Sequence, residues 1–103
     1  MTVVTKYQAD DDIDAAAEWL ESLNAGSGPR FFAAVRAFLA DVAFQPRRHP
    51  SVSRPPRGRE VRQGPIDGYQ FLVTFEVTPT QLVVWSFGHA KRRSQPWWRR
   101  MAP

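Results

Sequence analysis

Hydrophobic positions change their period twice along the chain, and each change marks an element boundary. Residues 2–8 are rich in β-branched side chains (Thr2, Val3, Val4, Thr5), which predicts an opening strand. Ile13, Ala16, Ala17, Leu20 and Leu23 then fall on one helical stripe. The acidic run from Asp10 supplies N-cap chemistry and suits the positive end of a helix dipole, while Asn24-Ala25-Gly26 provides a stop, so a helix is predicted over 11–24. Ser27 can cap a second helix and Pro29 suits its first turn. Phe31, Phe32, Val35, Phe38, Leu39 and Val42 then recur at helical spacing until Pro46. With so short a connection the two helices should form an antiparallel hairpin whose apolar stripes share a core.

Residues 46–58 hold four prolines and four arginines and little to bury, which predicts a loop. After it the period becomes two. Glu60 to Gln63 reads as a short strand before the Gly64-Pro65 break. Tyr69, Phe71, Val73, Phe75 and Val77 alternate with Gln70, Leu72, Thr74, Glu76 and Thr78, the pattern of a half-buried antiparallel strand. Leu82 to Phe87 is nearly continuous in apolar residues, as expected of a central strand buried on both faces. The fold class is therefore α+β: a two-helix hairpin on a mostly antiparallel four-stranded sheet, in the order β-α-α-β-β-β, with a short C-terminal helix. At 103 residues the chain makes one domain, residues 1–103, with one modest core.

Charge divides the same way as the period. The net +4 is an average: residues 1–45 carry three bases against seven acids, and residues 46–103 carry eleven against three. A strongly basic half points to a polyanion or an acidic partner. The absence of cysteine excludes disulfides, thiolate metal sites and a Cys nucleophile. His49 has no carboxylate or second histidine beside it, so no metal site and no cofactor are expected. The acidic residues from Asp10 stand where a signal peptide would need an apolar run, and no stretch reaches membrane-spanning length. The expectation is a cytoplasmic protein that does not engage a membrane.

The densest signal lies in Phe87-Gly88-His89-Ala90-Lys91-Arg92-Arg93-Ser94-Gln95-Pro96-Trp97-Trp98-Arg99-Arg100. Cations neutralise phosphates and exposed rings stack on bases, so this tail suits RNA or another anionic surface. The same composition also fits a short helix that docks its tryptophans on the sheet with solvated arginines outside. The order of elements, the strand ending in Phe87-Gly88-His89, the bases Lys91-Arg92-Arg93 and the Pro96-Trp97-Trp98-Arg99 run resemble the RelE/ParE superfamily of bacterial type II toxin–antitoxin toxins. Glu60-Val61-Arg62 followed by the aromatic strand from Tyr69 adds a second match. Trp97 stands where many relatives have tyrosine, and Asp67-Gly68-Tyr69 replaces a Phe-Pro-Tyr stretch.

The resemblance implies a toxin that arrests growth and is neutralised by a cognate antitoxin, whose C-terminal segment folds on binding. It implies one of two targets: RelE-like members cleave mRNA in the ribosome, whereas ParE-like members block DNA gyrase without cutting RNA. For metal-independent cleavage the catalytic candidates are Arg62, His89 and Arg92: an acid or base at His89, and a cationic clamp for the phosphate from the arginines. Arg59, Lys91, Arg93, Trp97, Trp98 and Arg99 are the candidates for target binding. Trp97 and Trp98 can stack on a base but cannot replace a tyrosine hydroxyl in proton transfer. Plainer roles stand beside these: His89 can hydrogen-bond a loop carbonyl, Arg62 can be a cross-strand charge, and Asp14, Glu18 and Glu21 can form a solvated helix face. A non-toxic nucleic-acid-binding module, or a degenerate toxin kept for complex formation, is the alternative from a different class.

Overall fold

The computed structural model describes residues 1–89 and 97–101. Its elements are β1 (Thr2–Thr5), α1 (Tyr7–Leu23), α2 (Ser27–Phe44), a 3₁₀ turn (Pro46–Arg48), β2 (Glu60–Pro65), β3 (Phe71–Val77), β4 (Gln81–His89) and α3 (Trp97–Arg100). The sheet order is β1-β4-β3-β2; β1 runs parallel to β4, and the other two pairings are antiparallel. The α+β class, the helix hairpin and the mostly antiparallel sheet are thus as the sequence pattern predicts. Ile13, Phe31, Val35, Phe38 and Val42 from the helices meet Val73, Phe75, Val77, Leu82 and Val84 from the sheet in one buried cluster.

Helix α1 begins four residues before the predicted start. Lys6 takes the N-cap position with extended backbone and no side-chain cap, and its N–H donates to the Val84 carbonyl. Strand pairing therefore hands over directly to the helix, and the acidic run lies inside α1. Ser27 likewise does not cap α2. The carboxylate of Glu21 accepts from the N–H groups of Gly26 (2.9 and 3.0 Å) and Gly28 (2.9 Å). These bonds, Gly26 first and then Gly28, hold Glu21 below its ordinary pKa, as expected for an anion at a helix start. Gly26 makes this turn at φ 87°, where a Cβ is strained. Gly26→Ala should cost about 1 kcal/mol in urea unfolding with an unchanged m-value.

Strand β4 solves a parity problem. Val84 and Phe87 are both buried, although three positions apart they would point to opposite faces of a regular strand. The register slips between them: Thr74 pairs with Ser86 and Phe75 with Val84, which leaves Trp85 as an extra residue. The continuous apolar run is thus two alternating segments joined at a bulge. β3 also departs from the half-buried expectation, because Thr74 and Glu76 on its second face are buried as well. β2 runs through the predicted Gly64-Pro65 break to Pro65. Gly64 is needed there: a Cβ would come within 2.5 Å of His49 Nδ1.

The Arg/Pro loop is partly ordered by the sheet. Val52 N–H donates to the Val61 carbonyl (3.0 Å) and Gln63 N–H to the Pro50 carbonyl (3.1 Å), so Pro50 to Val52 covers the outer edge of β2. Among the described residues, no helix is long and apolar enough to cross a membrane.

Candidate functional site

Opposite residues of an antiparallel pair share a face, and this sorts the candidates. Arg62 pairs with Phe75 and His89 with Phe71, so both lie on the helix-covered face. Arg59 instead reaches the outer face. There its Nε donates to Glu76 Oε2 (2.7 Å) and its Nη2 to Glu76 Oε1 (2.6 Å), while Nη1 donates to the Met101 carbonyl (3.1 Å). Trp85 Nε1 adds a third donor to Glu76 (3.1 Å), and Lys6 Nζ (5.0 Å) and the Arg59 guanidinium (5.5 Å) both lie over the Trp85 ring. The Arg59 hydrogen bonds, then that of Trp85, hold the Glu76 carboxyl below its ordinary value despite burial.

Arg62 is similarly engaged. Its Nε donates to Glu60 Oε2 (2.8 Å) and its Nη1 to the His49 carbonyl (2.6 Å). Glu60 also accepts from Arg47 (2.9 Å), and Arg47 first, then Arg62, lowers its pKa. Arg62 is therefore paired along its own strand and ties β2 to the loop at His49. His89 packs its imidazole edge-on against Phe71, with centroids 5.5 Å apart. Arg62 and His89 are two strands apart and four β3 positions apart, roughly 16 Å between Cα atoms by sheet geometry. The structure does not bring these two onto one phosphate. The third catalytic candidate, Arg92, lies outside the described residues, as do Lys91 and Arg93.

The last described turn is held through Arg100 and Met101, with Trp97 half-buried and Trp98 exposed. Arg100 Nη1 donates to Asp12 Oδ2 (2.6 Å) and to the Trp85 carbonyl (3.0 Å), and Nη2 donates to Asp12 Oδ1 (3.0 Å). Asp12 Oδ2 also accepts from the Phe87 N–H (3.0 Å). Met101 is 5% exposed, whereas Trp98 is 55% exposed and Arg99 is at the surface. Trp97 and Trp98 meet edge to face at 5.5 Å beside a cleft of about 640 Å³ that is also lined by Arg54, Pro55, Pro56 and Gln63. Asp12, Glu76, Trp85 and Arg100 were not among the sequence candidates. Only Glu76 carried a local signal, as a lone acid inside an apolar strand.

No protein-family model and no curated protein matches this sequence. Among solved structures, the chain is similar to one from the chromosomal ParDE TA system from P. aeruginosa, with a TM-score of 0.62 at 15% identity over 88% of this chain and 97% of that one. The likeness runs over nearly the whole of both chains. The chain thus shares the fold of that ParDE-system protein, the α+β architecture expected from the sequence.

Proposed function

We propose that this chain is the toxin component of a toxin–antitoxin module, acting in the cytoplasm and neutralised by a cognate antitoxin. The full-length fold likeness to a ParDE protein carries the reading, and the basic tail on that fold supports it. Of the target-binding candidates, Trp97, Trp98 and Arg99 stand together on the last short helix, and this reading gives them the target contact. Of the two modes of arrest, the geometry favours blocking a target over cutting RNA. Metal-independent cleavage needs a base and a cationic clamp converging on one phosphate, and Arg59 and Arg62 are each held by a carboxylate instead.

Inducing the gene alone in a bacterial host separates these modes. Blocking predicts growth arrest with intact mRNA, lost gyrase supercoiling or stalled translation, and an Arg62→Ala variant that still arrests growth. Cleavage at codon edges that disappears in Arg62→Ala and His89→Ala establishes the nuclease instead. Normal growth at good soluble expression removes the toxin reading and leaves a binding module.

A further inference from the structure

The two edges of the sheet differ. The chain covers the β2 edge itself: Val52 and Pro50 bond to Val61 and Gln63, and Ser51 bridges to Arg62. Among the described residues, β1 pairs with β4 alone. The Lys6 N–H donates to the Val84 carbonyl, and backbone groups alternate in direction along a strand. Thr2 and Val4 therefore bond towards β4, while Val3 and Thr5 turn their N–H and C=O groups outward. Proteins guard such an edge with a charge, a proline or a bulge. Thr2-Val3-Val4-Thr5 has none of these, and the ammonium of the next residue, Lys6, is turned onto the Trp85 ring (5.0 Å). Exposed apolar residues, Met1 and Tyr7, stand just before and just after this bare edge.

We infer that β1 pairs with β1 of a second copy, antiparallel about a two-fold axis at Val3, so that the two four-stranded sheets become one. In this register Val3 exchanges hydrogen bonds with Val3 of the other copy and Thr5 with its Met1, which uses the outward groups of both strands. The faces agree as well. Val3 packs against the helix-covered core, and its counterpart opposite does the same, so both helix hairpins stand on one side. A slip by one residue would set Val3 opposite Val4, whose backbone groups are already used on β4. A second copy fits this edge better than a free peptide, because both strands are ordered before they meet and no chain-ordering entropy is lost. The β2 ends of the joined sheet are covered by their own loops, so association closes at a dimer. At each end of the pair Met1 of one copy comes towards Thr5 and Tyr7 of the other, which removes apolar surface from water. The inference does not rest on the toxin reading.

The test is sedimentation velocity of the purified full-length chain from about 1 µM to about 1 mM. A pair of four-residue strands is a small interface, so a weak dimer that forms within this range is expected, with no larger species. Hydrogen exchange should slow at the Val3 and Thr5 amides as the chain is concentrated, and hardly change at Thr2 and Val4. Thr5→Pro removes an outward N–H and no bond to β4, and should raise the dissociation constant roughly tenfold or more. Leu23→Glu, an exposed apolar position at the other end of α1, should leave it unchanged. Circular dichroism checks each variant; if Thr5→Pro does not fold, wild-type exchange at Val3 and Thr5 decides. Dimers without added protection at those amides, a folded Thr5→Pro that dimerises like wild type, or open-ended association overturns the inference. A chain that stays monomeric throughout also overturns it and leaves the edge to a strand of another protein.

Discussion

Arg100→Ala should lower the unfolding free energy by about 2–3 kcal/mol, somewhat below the roughly 3–5 expected when one partner of a fully buried pair is removed. The discount follows from exposure: the Arg100 and Asp12 side chains are 12% and 21% exposed. Arg100 joins the last described turn to α1 through a two-toothed bond to Asp12, and to β4 through the Trp85 carbonyl. Removing it leaves an uncompensated carboxylate near the Phe87 N–H. Arg100→Lys should rescue little, because a single ammonium cannot reproduce the fork. In a 103-residue chain the loss should lower Tm by about 10 °C or more. A double-mutant cycle with Asp12→Ala, read by urea unfolding, should give a coupling well above 1 kcal/mol. A coupling near zero shows that the end of the chain is not held here.

The second large effect is an acid limb centred on Glu76. Its carboxyl is held below the ordinary 4.5, so at low pH the unfolded chain binds the proton more readily than the folded one. Stability is therefore full above about pH 4.5 and falls as the pH drops through the lowered value. Glu60 and Glu21 are lowered as well and contribute to the same limb. Arg59→Ala should cost about 2–3 kcal/mol at pH 7, because Glu76, 10% exposed, loses its partner. The gap between wild type and Arg59→Ala should narrow as the pH falls, because the buried Glu76 carboxyl left without its partner takes up its proton first and so sheds its penalty. Thermal melts from pH 7 to pH 3 measure this, and a gap that stays constant or widens contradicts the assignment.

Much of the fold is legible from periodicity, because the stripes Ile13–Ala16–Ala17–Leu20 and Phe31–Val35–Phe38–Val42 state which face is buried before any partner is known. What periodicity misses is decided by long-range partners. Helix α1 starts at Tyr7 because Lys6 is tied to Val84, far away in sequence. The Trp85 bulge is invisible in a run where Ser86 is the one polar residue. For the candidate site, residue type singles out the basic half of the chain but not which of its cations are paired. Arg59 and Arg62 look available in sequence, and only the fold places Glu76 and Glu60 against them. Conversely, Arg54 and the two prolines read as loop filler until α3 is set beside them.

The toxin account rests on what the chain does to a cell when nothing restrains it. The most direct measurement is viable count after induction of the gene alone, and after induction together with a candidate antitoxin gene. The account predicts a steep loss of colony formation in the first case and recovery in the second. Unchanged colony counts with the chain well expressed and folded contradict it.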